Sequence, residues 1–107
     1  NFLMGSLPSA FSTLSDLLKL SLYANNINGN LPWSYSSLVM LEELNLASNS
    51  LTGTIPSLYE AMSNMASLTL AENLLDGTVP DAVGSMVKLT VLYLHQNSFG
   101  GKIYTAA

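Results

Sequence analysis

Apolar residues recur along the chain with a period of 24 residues, and mostly polar residues fill the positions between them. The pattern can be written LxxLxLxxNxLxGxIPxxLxxLxx, and repeats beginning at Leu17, Leu41, Met65 and Leu89 follow it without an insertion. A fixed period of this length is typical of a solenoid, in which each coil buries its apolar face only against neighbouring coils. The pattern therefore predicts that function lies on a surface.

Within each repeat, the LxL segment alternates between apolar and polar positions. In one copy, Leu20 and Leu22 are predicted to point inward, whereas Lys19, Ser21 and Tyr23 point outward. This alternation predicts a short strand with one covered face. Successive strands run in the same direction, so they should pair in parallel at about 4.8 Å per coil.

Asparagine, glycine and proline mark the corners of the repeat. A side-chain amide has two donors and one acceptor, so a stacked column of asparagines can hydrogen-bond the turning backbone of its own and adjacent coils. The sequence predicts such a structural column at Asn1, Asn25, Asn49, Asn73 and Asn97. Between the glycine and the proline, a second short extended segment is expected at Leu7, Leu31, Ile55, Val79 and Ile103. The spacing of Tyr59 and Met62 after the proline favours a 3₁₀ turn.

The LxGxIP segment, and the stretch NLASNSLTGTIP in particular, resembles the 24-residue leucine-rich repeats of plant receptor-like kinases, receptor-like proteins and polygalacturonase inhibitors. Similar repeats occur in trypanosomatid and other protist surface antigens. The resemblance runs from Asn1 to about Ile103. It implies an α/β fold, a right-handed solenoid with a parallel sheet on the concave face and short 3₁₀ and extended segments on the convex side.

The repeat register predicts one solenoid over residues 1–107. It would consist of about four and a half repeats, with boundaries at 1–16 (partial), 17–40, 41–64, 65–88 and 89–107 (partial). The chain has no cysteine, although the plant ectodomains it resembles usually carry paired-cysteine caps. Since uncapped end coils would expose apolar rows and strand edges, we expect this chain to be a fragment of a longer protein or to have its ends covered by neighbouring chains.

Charge is sparse, at 9% of residues with a formal net charge of −4, and there is no arginine. Nucleic-acid grooves and anionic membrane patches both need clustered cations, which three scattered lysines do not supply. No apolar run approaches the length of a membrane span. We therefore expect no nucleic-acid partner and no direct membrane insertion in this segment.

Catalytic chemistry has few candidates. His95 is the only histidine, and no cysteine is present. A nucleophile needs a base within reach and an oriented partner, and a zinc site needs three or four ligands, neither of which one histidine can supply alone. Glu72 and His95 are 23 residues apart and could touch diagonally on adjacent coils, which we interpret as a surface polar pair. We expect a protein that is not an enzyme and has no cofactor and no metal site.

The outward side of the predicted sheet is the candidate binding surface. Its register is known, and its candidate ligand-binding residues are Tyr23, Asn45, Thr69, Glu72, Tyr93, His95 and Gln96. Aromatic anchors occur only at the two ends of this surface, although β-propensity alone accounts equally well for Tyr23 and Tyr93. Trp33 follows Pro32 and is expected to pack on the corner, with a lateral contact as the alternative.

The resemblance implies a non-catalytic recognition module, extracellular or at the cell surface, whose concave face binds a peptide, protein or glycan. A structural alternative is a repeat protein of a cell coat or filament, in which weakly charged surfaces and open coil ends bind copies of the same chain or other chains. A third alternative is ice binding by the regular Thr/Ser/Asn array.

Overall fold

The LxL segments form a parallel sheet in the computed structural model, which describes residues 3–100. The strands are β2 (Lys19–Ser21), β4 (Glu43–Asn45), β6 (Ser67–Thr69) and β8 (Val91–Tyr93), paired in that order. Their central leucines, Leu20, Leu44, Leu68 and Leu92, lie side by side. The register is thus the 24-residue period itself, because each coil contributes one strand to the sheet.

A second parallel sheet lies on the other side of each asparagine corner. Its strands are β1 (Met4–Ser6), β3 (Asn26–Asn30), β5 (Ser50–Gly53) and β7 (Leu74–Leu75), also paired in chain order. The predicted second extended segment is therefore present, but it lies a few residues earlier in the repeat than the sequence pattern predicted. Strands β3, β5 and β7 begin directly after the asparagine. Strands β1, β3 and β5 end before Leu7, Leu31 and Ile55, whose side chains are buried in the core.

Short helical turns complete each coil after the proline. They are 3₁₀ turns at Ser9–Thr13, Trp33–Ser37 and Ser57–Ala61, and a short α-helix, α1, at Asp81–Gly84. Each 3₁₀ turn follows an extended proline, whose fixed φ suits the residue before a turn. The predicted α/β solenoid, with parallel strands and short 3₁₀ segments, is confirmed.

The asparagine side chains tie the two sheets together. The Asn73 amide donates to the carbonyls of Leu46, Leu70 and Ala71 at 2.9 to 3.2 Å, and its Oδ1 accepts the Leu51 N–H at 3.0 Å. Asn73 is only 6% exposed. Asn25, Asn49 and Asn97 make corresponding bonds, and the oxygen of each accepts an N–H of the preceding coil. Asn1 and Ile103 lie outside the described residues.

Two buried tyrosines link the convex turns of successive coils. The Tyr35 hydroxyl donates to the Pro8 carbonyl and the Tyr59 hydroxyl to the Pro32 carbonyl, each at 2.8 Å. Both side chains have no exposed surface. Burial raises the pKa of Tyr35 to about 12, and burial followed by proximity to Tyr35 raises the pKa of Tyr59 as well. These slots hold core residues, as the repeat pattern predicts.

Candidate ligand-binding face

The concave face is the outward surface of strands β2, β4, β6 and β8. Strand pairing aligns one column of side chains across it, Ser21, Asn45, Thr69 and Tyr93. The pairing continues past the strands through backbone bonds such as Leu46 N–H to the Thr69 carbonyl and Ser48 N–H to the Ala71 carbonyl, both 2.9 Å. It therefore also aligns a second column, Tyr23, Ala47, Ala71 and His95.

The concave face has small side chains in its two middle coils and exposed aromatic rings at both ends. Ala71 is 3% exposed, whereas Tyr23 is 56% and Tyr93 53% exposed. The Tyr93 and His95 rings meet edge to face, with centroids 6.1 Å apart and planes at 65°. Tyr23 and His95 are three coils apart in one column, so about 14 Å separates the two ends of this shallow floor.

The floor carries polar side chains, and a hydrogen bond holds one of them in place. Asn45 and Thr69 are half-buried neighbours in the first column. The Asn45 Oδ1 accepts the Ala47 N–H at 3.2 Å, which holds its carboxamide at the edge of the floor. The face can thus offer amide and hydroxyl groups to a ligand backbone between its aromatic ends.

Glu72 and Gln96 occupy a sharp turn at the margin of the face. Both have a positive φ, 59° and 56°, as do Ala24 and Ser48 in the same register position. The Glu72 carboxylate accepts the Ser48 hydroxyl at 2.7 Å, and its link to His95 is a backbone bond, from the Glu72 N–H to the His95 carbonyl at 2.9 Å. Sequence reasoning missed this turn because no glycine marks it, although left-handed backbone usually favours glycine.

Trp33 does not pack on the corner, so that expectation was wrong. Its side chain is 68% exposed at the start of the second 3₁₀ turn, whereas Tyr35, two residues later, is fully buried. A tight turn places these two positions on opposite sides, and only the Tyr35 position faces the core. The large apolar ring of Trp33 is therefore left on the outer surface.

The second sheet has an outward surface of short polar side chains, which we call the second-sheet face. Its exposed residues are Ser6, Asn28, Asn30, Ser50, Thr52, Thr54 and Thr78. The Thr52 hydroxyl donates to the Asn30 Oδ1 at 3.3 Å. Gly53 and Gly77 have positive φ, and a Cβ on them would lie 2.7 Å from Asn30 Oδ1 and 2.6 Å from Thr54 Cγ2. Each glycine thus makes room for the polar residue of the preceding coil.

Residues 3–100 lack two other kinds of site. In that range no three His, Cys, Asp or Glu side chains are grouped so that they could hold a metal ion. Across the same range, no helix has both the length and the apolar character that a membrane span requires.

Comparison with protein families places the repeats in a known group. A family model described as leucine rich repeat matches residues 40–99, which is more than half of the chain. No curated protein sequence matches the chain significantly.

Solved structures with the same arrangement include plant receptors. The ectodomain of the receptor kinase GASSHO1/SCHENGEN3 from Arabidopsis thaliana, solved in complex with CASPARIAN STRIP INTEGRITY FACTOR 2, is 36% identical with a TM-score of 0.94, over 97% of this chain and 12% of that chain. The plant peptide hormone receptor RGFR1 in complex with RGF2 is 29% identical with a TM-score of 0.94, over 96% of this chain and 16% of that chain. A plant ice-binding protein is 28% identical with a TM-score of 0.86, over 90% of this chain and 31% of that chain. The chain thus spans less than a third of each of these structures.

Proposed function

The chain belongs to the leucine-rich repeat family, and from this premise we propose that it is a non-catalytic recognition module whose concave face binds an extended peptide or a peptide segment of a protein. The observation that carries the proposal is the shape of that face, a shallow floor of small side chains between exposed rings. One of the similar structures is the ectodomain of a plant membrane receptor kinase, and another is described as a plant peptide hormone receptor. By the same likeness we propose an extracellular or cell-surface location.

The chemistry of the concave face fits a peptide backbone. Ala47 and Ala71 leave room for a main chain to approach the sheet closely, and the half-buried Asn45 and Thr69 supply groups that can hydrogen-bond its amides. The exposed rings at the ends are of the type that dominates binding energy in interfaces. A ligand crossing the coils would contact both ends, since about 14 Å corresponds to four or five extended residues.

The test uses a peptide ligand that is first selected for binding to the purified protein from a random displayed library. Truncating the tyrosine at either end of the concave face should weaken the binding of this peptide. We expect Tyr93→Ala and Tyr23→Ala each to raise the Kd by about 30-fold, because anchor residues typically contribute about 2 kcal/mol or more. Titration calorimetry measures the change. Leu74→Ala, which truncates a 60% exposed side chain on the second sheet, is the matched control and should leave the Kd unchanged. A ligand that binds both tyrosine variants as tightly as wild type would place the binding surface elsewhere.

A second candidate function, ice binding, is favoured by the second-sheet face. Parallel strands set its hydroxyl and amide groups in rows about 4.8 Å apart, and a regular, uncharged array of this kind can order a layer of water molecules. The similarity to a plant ice-binding protein supports this candidate. The exposed Leu74, Met4 and Asp76 interrupt the array at its ends, so its most regular part lies on β3 and β5.

A pair of lysine substitutions separates the two candidate functions. If the second-sheet face binds ice, Thr52→Lys should abolish thermal hysteresis and inhibition of ice recrystallisation, because a long charged side chain breaks the array at its centre. Thr69→Lys, the matched change on the concave face, should preserve both ice activities but weaken the binding of the selected peptide. If the wild-type protein changes neither the freezing point of its solution nor the habit of the ice crystals, the ice-binding candidate is ruled out.

A further inference from the structure

An open groove of about 460 Å³ lies on the convex side, between the first two 3₁₀ turns and away from both sheets. It is lined by Ser9, Ala10, Ser12, Pro32, Trp33 and Ser34. Its volume lies within the range of about 300 to 1,000 Å³ that is common for small-molecule sites. The groove is separate from the concave face and from the second-sheet face.

The fold does not require a tryptophan at this position. In the 24-residue register, Trp33 corresponds to Ser9, Ser57 and Asp81, all of which begin the same kind of turn with a small or polar side chain. Trp33 is also 68% exposed, so it contributes little to the core. The indole of Trp33 is therefore not needed for the fold, and it lies next to the groove, where it is available to contact a ligand.

The walls of the groove are held in place before any ligand arrives. The Ser37 hydroxyl donates to the carbonyls of Ser12 at 2.8 Å and Ser34 at 3.0 Å, which joins the two turns. The Tyr35 hydroxyl makes a further bond to the Pro8 carbonyl at 2.8 Å beneath them. A ligand would therefore not have to order the groove, a cost that otherwise reduces affinity.

The chemistry of the lining is neutral and rich in hydroxyl groups. None of its residues is ionisable, so a charged ligand would find no counter-ion within it. The Ser12 hydroxyl donates to the Ser9 carbonyl at 2.7 Å, which leaves its oxygen lone pairs directed away from that bond. An aromatic plane beside serine hydroxyls matches a sugar ring, whose C–H groups can stack on the indole while its hydroxyls exchange hydrogen bonds with serine.

We propose that this groove binds a neutral saccharide, with one or two sugar rings stacked on Trp33. The site is independent of the concave face, and a peptide ligand there neither requires nor excludes it. A protein carrying an apolar side chain into the groove is the competing occupant, which the experiment distinguishes.

Because Trp33 is the only tryptophan of the chain, intrinsic fluorescence reports on the groove without a label. The purified protein is titrated with cellotetraose, xylotetraose, mannotetraose and β-1,3-glucan oligosaccharides, and with oligogalacturonate as an acidic comparator. We expect a saturable change in Trp33 emission with at least one neutral saccharide and none with oligogalacturonate. Absence of saturable binding to every neutral saccharide, or a preference for the acidic one, would overturn the proposal.

Variants then test whether the indole itself carries the binding, measured by calorimetry and by saturation-transfer NMR. Trp33→Ser introduces the residue that two other coils use, so we expect an unchanged urea midpoint and at least a tenfold loss of saccharide affinity. Trp33→Tyr keeps an aromatic plane and should lose less than threefold. Leu58→Ser, which removes a 53% exposed side chain from the next turn, is the control and should bind as wild type. Undiminished saccharide binding by Trp33→Ser, or capture of an apolar peptide in place of any saccharide, would refute the assignment.

Discussion

Replacing Tyr59 by alanine is expected to lower the free energy of unfolding by about 3 to 5 kcal/mol, the usual cost of truncating a large buried aromatic side chain. Tyr59 has no exposed surface and lies in the centre of the convex layer, so neighbouring coils cannot collapse into the space without losing their own register. The substitution also removes the bond to the Pro32 carbonyl. Urea unfolding followed by circular dichroism measures the loss.

Tyr59→Phe separates the ring from its hydroxyl. It keeps the packing and removes only the donor to Pro32, so we expect a loss of about 1 kcal/mol. A cost as large as that of Tyr59→Ala would show that the hydrogen bond, not the ring volume, dominates at this site.

The pH dependence of the free energy of unfolding provides a second test of the buried Tyr59 hydroxyl. Burial raises the pKa of both tyrosines, to about 12 for Tyr35, so the folded state favours the neutral hydroxyl. This contribution is complete below the unfolded pKa of 10.0 and is lost as pH rises above it toward the folded values. Wild type should therefore lose stability from about pH 10 upward, and Tyr59→Phe should lose less over the same interval.

Replacing Asn73 by alanine is expected to lower the free energy of unfolding by about 3 kcal/mol. The buried Leu51 N–H is left without its acceptor, at a cost of about 1 to 3 kcal/mol, and further hydrogen bonds worth about 0.5 to 1.5 kcal/mol each are lost from three carbonyls. The Asn73 carboxamide serves one N–H and three carbonyls in two coils. In the alanine variant the Leu51 N–H loses its acceptor, and at 6% exposure of Asn73 water has little access to replace it. The three carbonyls each keep a second donor, so they lose one hydrogen bond but are not left unpaired. Urea unfolding again gives the magnitude.

Hydrogen exchange locates the effect of Asn73→Ala. The Leu51 amide should lose protection because its acceptor is gone, whereas the Ile27 amide, which donates to the Asn49 Oδ1, should keep its own. Asn28→Ala removes an exposed asparagine of β3 and should change stability by less than about 0.5 kcal/mol. Equal costs for the buried and the exposed asparagine would contradict the account of the corner column.

Some parts of the candidate site follow directly from the repeat. Because one strand enters the sheet per coil, the spacing of Tyr23 and Tyr93 is enough to place them in adjacent columns at opposite ends of the concave face. The left-handed turn at Glu72 could not be predicted from the repeat. This position holds Ala, Ser, Glu or Gln in the different coils, and none of these residue types indicates a left-handed backbone. The exposure of Trp33 was also hidden, because the pattern after proline marks the core slot of Tyr35 but not the direction of its neighbours.

By itself, the sequence determined the number of residues per coil, the parallel pairing of the LxL strands and the identity of the core. These follow from the alternation of apolar positions and from the need of every coil to cover the next. Tertiary structure alone decided where the second sheet begins, how each asparagine divides its bonds between two coils, and which polar and aromatic side chains remain on the surface. Those features depend on contacts between residues 22 to 27 positions apart, which the spacing of one repeat does not specify.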